Sequence, residues 1–93
     1  MPEIPDYQTL KLPILKIAAK GESIPYAVAI LGKQFHLTPE QMAAMLPSGG
    51  IQIINNRAHW AKTYLVKAGL LEQPRRGVFK ATDRGLTAIS QTG

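Results

Sequence analysis

Residues 55–81 read NNRAHWAKTYLVKAGLLEQPRRGVFKA, and the hydrophobic period changes once inside this stretch. Up to residue 68, Ala58, Ala61, Leu65 and Ala68 recur at intervals of three and four, the spacing that lines one face of a helix. A helix over 55–68 is therefore predicted, ended by Gly69 in the left-handed conformation that glycine adopts most easily. Beyond it, Leu71-Glu72-Gln73 and Val78-Phe79-Lys80-Ala81 are short strand-like runs. Pro74-Arg75-Arg76-Gly77 between them reads as the turn of a hairpin with two arginines near its tip. Thr82 then caps a short closing helix, with Leu86 and Ile89 expected to face inward.

Upstream of this stretch the pattern is helical. Over 7–19, Leu10, Ile14, Leu15, Ile17 and Ala18 form an apolar face, while Lys11, Lys16 and Lys20 are left for solvent. Pro13 cannot donate a backbone hydrogen bond, so it lies in the first turn or kinks the helix. A second helix starts near Pro25 and runs to about His36, with Ala27, Val28, Ile30, Leu31 and Phe35 spread around much of its circumference. The third has the clearest start in the chain: Thr38 as N-cap, Pro39 at the first helical position, and Gln41 closing a capping box. Met42, Met45 and Leu46 are its expected inner face, Pro47-Ser48-Gly49-Gly50 stops it, and a short extended piece over 51–53 comes next. Several helices, a long basic helix, a basic hairpin and a closing helix describe a mainly α fold with a small β-hairpin, a winged helix-turn-helix. Residues 1–93 form a single domain on this reading, with 1–6 and 91–93 flexible.

Charge adds a direction to this fold. Residues 1–50 carry four basic and four acidic side chains, whereas residues 51–93 carry seven basic against two acidic, so the whole excess of +5 falls in the second half. A one-sided positive field attracts a polyanion, and nucleic acid is the commonest one for such a domain; simple solubilisation is the alternative. The chain has no cysteine, which removes disulfides, thiolate metal sites and a cysteine nucleophile, and fits a reducing cytosol. Six acidic residues scattered singly offer no paired carboxylates for a divalent ion, and His36 and His59 stand alone, so neither metal nor cofactor is expected. No serine or threonine has a matching histidine and acid, and the chain is read as non-enzymatic. Nothing resembles a signal peptide or a membrane span, which leads to the expectation of a cytoplasmic protein without a membrane partner.

The helix before a wing is where this fold keeps its recognition helix. Asn55, Asn56 and Arg57 open it, and their side chains can pair bidentately with adenine or guanine edges in the major groove. An asparagine here could equally cap the helix. Arg57 is the preferred base reader, His59, Lys62 and Thr63 take outward positions, and Lys62 suits phosphate. Trp60 and Tyr64 are four apart beside the alanine stripe, and Trp60 is read as core, packed on the first helix or the wing, in preference to a platform for an extruded base. Arg75 and Arg76 at the hairpin tip, with Lys80 on its second strand, suit a phosphate backbone; arginines on an edge hairpin also deter strand pairing.

Some of these stretches also carry a resemblance. Leu65-Val66-Lys67-Ala68-Gly69-Leu70-Leu71, Arg75-Arg76-Gly77-Val78-Phe79 and Ala81-Thr82-Asp83-Arg84-Gly85 are similar to the helix end, wing and closing helix of many winged-helix proteins. Asp6-Tyr7-Gln8-Thr9-Leu10, Leu46-Pro47-Ser48-Gly49 and Asn56-Arg57-Ala58-His59-Trp60-Ala61 resemble the N-terminal domain of Mrr-type modification-dependent restriction endonucleases, over nearly the whole chain. The resemblance implies a domain that binds double-stranded DNA and targets a C-terminal nuclease domain to methylated sites. The helix over 55–68 would then lie in the major groove, and the wing over 71–82 on the backbone. The unusually apolar second helix departs from that pattern and suits contact with the nuclease domain or a second copy in a homodimer. The competing reading is a winged-helix protein-interaction or dimerisation module.

Overall fold

A computed structural model describes residues 4–91 of the chain. Five helices and one hairpin run in the order α1 (Tyr7–Ala18), α2 (Ile24–Gln34), α3 (Pro39–Ala43), α4 (Ile53–Lys67), β1 (Leu71–Arg75), β2 (Val78–Ala81) and α5 (Asp83–Gln91). This mostly helical, two-stranded arrangement is winged-helix-like, as the change of period implied. No helix among the described residues is long and apolar enough to cross a membrane.

Each helix is started or stopped by local chemistry. The Asp6 carboxylate accepts from the Thr9 amide at 2.8 Å to open α1, and Pro13 sits inside that helix rather than at its start. Ser23 caps α2. That helix closes in a Schellman turn: the Leu37 amide reaches the Gly32 carbonyl at 2.9 Å while His36 takes a left-handed φ of 54°. His36, expected as the last helical residue, is instead the residue that turns the chain away. Thr38 and Gln41 form the expected capping box of α3. Gly69, with φ of 76°, ends α4 as predicted, the Leu70 amide donating to Leu65.

Two expectations about the segment after α3 are corrected. The helix stops at Ala43, where Ala44 swings to extended backbone, so Met45 and Leu46 are not its inner face and Met45 is 49% exposed. Instead of a strand over 51–53, a single antiparallel bridge joins Met45 to Gln52. Leu46 and Ile51 close the loop by a backbone bond of 3.0 Å, and Ile53 already belongs to α4. The glycines and proline between them favour a narrow turn over a longer ladder.

The core is one cluster. Leu10, Ile14, Leu15 and Ala18 of α1 meet Ile54, Ala58, Ala61 and Leu65 of α4, joined by Ile24, Val28 and Leu31 of α2 and by Leu71, Phe79 and Ala81 of the hairpin. Two alanines on the buried stripe of α4 let α1 lie close along it, which fixes the axis of α4. The stripe ends one turn earlier than expected, because Ala68 is the exposed C-cap.

In the hairpin, Leu71 pairs with Ala81, Glu72 with Lys80 and Arg75 with Val78, with an irregularity between Glu72 and Arg75 where Pro74 has no amide to donate. Glu22, between α1 and α2, exchanges two 2.8 Å backbone bonds with Phe79. This one-residue third strand ties the wing to the helices. In α5, Gly85 is buried against the Leu70 carbonyl, so the inward line runs through Gly85, Ala88 and Ile89. Ile89 packs on the core as expected, whereas Leu86 is turned out, 47% exposed. The described part of the N-terminal tail, residues 4–6, lies against the core through Ile4; residues 1–3 and 92–93 lie outside the described residues.

Candidate nucleic-acid interface

The burial of one stripe decides what α4 shows to solvent. With Ile54, Ala58, Ala61 and Leu65 inward, a rotation of about 100° per residue puts Asn56, Trp60, Thr63 and Lys67 along the opposite line. Toward the wing, Lys62, Thr63, Val66 and Lys67 face Gln73 and Phe79 across a groove of about 250 Å³. Its floor is apolar and its rim carries two ammonium groups. The Lys62 Nζ stands over the Phe79 ring, 5.1 Å from its centre, a cation–π contact that holds one of the two charges beside the apolar floor.

Of the expected residues, the structure brings His59, Lys62 and Thr63 to this groove side of α4. The Thr63 hydroxyl donates to the His59 carbonyl at 2.9 Å, which leaves it an acceptor for other partners. Partial loss of hydration, and then the charge of Lys62, hold the His59 imidazole below its usual 6.5. The unfolded chain therefore takes up a proton more readily, and the stability linked to His59 is full above about pH 6.5 and declines as pH falls below it. Arg75 and Arg76 are exposed at the hairpin tip.

The other expected residues have different surroundings. Neither Asn55 nor Asn56 caps α4, which starts two residues earlier after Gln52. Asn55 donates its amide to the Gln52 side chain at 2.6 Å, and Asn56 faces outward one turn before Trp60. The Arg57 guanidinium is half-buried and donates to the carbonyls of Ile4 and Pro5. Its charge also helps hold the Asp6 carboxyl below the usual carboxylate range, behind the larger contributions of the Thr9 amide and hydroxyl. Here Arg57 secures the entry into α1. Lys80 stands opposite Glu72 on the side of the hairpin facing α5, lining a cavity with Thr82, Asp83 and Arg84, away from the α4 groove.

The expectation that Trp60 belongs to the core is corrected: it is 50% exposed, and Tyr64 is 39% exposed. Ala58 and Ala61 already occupy the face that α1 covers, and Trp60 falls on the far side of the helix. Tyr64 stacks on Tyr7 of α1 at 5.0 Å and 19°, Trp60 leans on Tyr64 at 6.2 Å and 34°, and the Lys11 Nζ lies 5.1 Å and 5.6 Å from the two tyrosine rings. Lys67, Gln73 and Phe79 of the groove were also not singled out in the sequence. Lys67 was legible, because it is eleven residues from Asn56 and shares its helix face; Gln73 and Phe79 needed the hairpin's position.

Elsewhere, a shallow cavity of about 530 Å³ lies between α2 and α3, lined by Ala29, Gly32, Lys33 and Met42 among others, with no convergent chemistry. Among the described residues no group of three or more His, Asp or Glu side chains is placed to hold a metal ion. No curated protein and no solved structure matches the chain significantly. Residues 7–91 match the model of the family described as Mrr N-terminal domain.

Proposed function

The chain belongs to the Mrr N-terminal domain family, and from that premise we propose that it binds duplex DNA and directs a nuclease domain of a restriction system to modified, methylated sites. The match is to an N-terminal and not a catalytic domain, which accords with a targeting role. The observation that carries the reading is the groove between α4 and the hairpin, with Lys62 and Lys67 on its rim and Arg75 and Arg76 beyond it. An α-helix fits the major groove of B-DNA, and α4, at about 22 Å, is long enough to cross it. In that pose Asn56 and Thr63 meet base edges, Lys62, Lys67 and the two wing arginines meet phosphates, and His59 lies between the two sets. Arg57 and Lys80 act from behind this surface, Arg57 by holding the N-terminal segment.

Duplex binding is expected to weaken linearly in log affinity with log salt, with a slope of about 0.9 per neutralised phosphate. Four such contacts predict a slope of about 3.6. Fluorescence anisotropy of a labelled mixed-sequence duplex from 50 to 300 mM salt measures it, and an affinity indifferent to salt defeats the proposal. A module that only docks protein, which the exposed Tyr26 and Ala29 on the outer side of α2 would suit, gives no saturable duplex binding at any of these salt concentrations.

A second expectation concerns pH. Phosphate beside Lys62 offsets the charge that helps depress the His59 imidazole, so binding raises its proton affinity. Affinity should therefore increase as pH is lowered from 7.5 to 5.5, by at most tenfold per unit. Replacing His59 with Gln should flatten the profile. An unchanged pH dependence in the variant would show that another group titrates.

A further inference from the structure

Trp60 occupies the middle of the outward line of α4, between Asn56 one turn before and Thr63 and Lys67 after it, and half of its surface is in solvent. A half-exposed indole is an unfavourable surface to present to water. It is also oriented. Tyr64 supports one side of it, and Tyr64 in turn is stacked on Tyr7, with Lys11 near both rings. The tyrosine faces are committed to each other, whereas Trp60 keeps its outer surface free. Whatever α4 lies against, an apolar ring surface meets it at the centre, flanked by an amide, a hydroxyl and an ammonium.

The floor of the DNA major groove is made of hydrogen-bonding edges with one apolar feature, the C5-methyl of thymine, which 5-methylcytosine shares. An indole offers one donor and no acceptor, so it cannot pair bidentately with a base edge, whereas its ring surface can cover a methyl. Trp60 also stands on a convex helix face and lines none of the three cavities described above among the described residues. An extruded base needs a concave pocket around it. We propose that Trp60 is the residue that contacts pyrimidine C5-methyl groups in the major groove. The proposal rests on the duplex-binding reading, and it adds the chemical group read and the side chain that reads it.

The test uses mixed-sequence 30-base-pair duplexes made in four versions, with thymine or uracil and with cytosine or 5-methylcytosine, titrated at two salt concentrations. Trp60 is the sole tryptophan of the chain, so its emission reports the contact directly. Burying one methyl corresponds to about a fourfold gain in affinity. The methylated member of each pair should bind tighter by about that factor and change the Trp60 emission more. Trp60→Phe should keep part of the ratio, and Trp60→Ala should bring it to one while leaving the salt slope in place.

The two source groups separate in the data, since a thymine-only ratio points to ordinary sequence reading and a 5-methylcytosine ratio to modification reading. Salt-dependent binding with no methyl ratio in either pair, or a ratio that survives Trp60→Ala, overturns the assignment of Trp60 and leaves duplex binding intact. Binding that is absent or salt-independent in all four versions overturns the duplex reading itself, and this inference with it.

Discussion

Replacing Gly85 with Ala is expected to cost about 3 kcal/mol of stability, a fall of roughly 12–24 °C in Tm for a domain of this size. In an open helix the same change is favourable by about 1 kcal/mol, because glycine is the poorer helix former, so the local geometry must reverse the sign. It does so through backbone. A Cβ on Gly85 would collide with the Leu70 carbonyl oxygen and press on the Leu15 side chain at 3.2 Å. The Leu70 carbonyl cannot retreat freely, since it accepts from the Thr82 amide at 3.0 Å. Thr82 is itself fixed: its hydroxyl donates to the Gly69 carbonyl and accepts from the Gly85 amide at 3.1 Å. Making room therefore means separating α5 from the junction of α4 and β1. Gly50→Ala is the control, with nothing within 4 Å of the new methyl; its midpoint should hold or rise slightly. A Gly85→Ala variant that melts with the parent in a calorimetric scan would show that α5 is loosely docked.

The other large effect is on binding. If Arg75 and Arg76 each neutralise a phosphate, the double alanine variant should lose about 1.8 units of salt slope and, at 0.15 M salt, on the order of 30-fold in affinity on every duplex alike. Equal loss on all sequences is the signature of a positioning contact. Lys80→Ala is the comparison, because it removes one positive charge from the same hairpin on the side opposite the α4 groove. It should change the slope by far less than one unit. Should Lys80→Ala match the arginine pair, the duplex lies across the α5 side of the hairpin and the pose is inverted.

The distribution of charge was legible without coordinates, and so was the segment that bears it. What the residues left open was the facing of individual side chains. Arg57 has the chemistry of a base reader and stands at the start of the right helix, but its guanidinium bonds to Ile4 and Pro5 more than fifty residues away. No local pattern encodes a contact at that range. Trp60 is a different case. The phase of Ala58, Ala61 and Leu65 already places residue 60 on the far side of a helix, and the general preference of tryptophan for the interior outweighed a rotation that could be counted.

By itself the sequence determined the elements and their order, because helix caps, the Gly69 stop, the hairpin turn and the alanine stripe are local devices with local causes. It also determined that the positive charge lies on the second half of the chain. Only the tertiary structure decided which of those charges share a surface. Packing of α1 along the alanines of α4, and the single bridge from Glu22 to Phe79, set how α4 is turned and where the hairpin stands. These are contacts between residues distant in sequence, formed by burial of a common core, and they put Lys62 and Lys67 at one groove while sending Arg57 to the N-terminal segment and Lys80 to the opposite side of the wing.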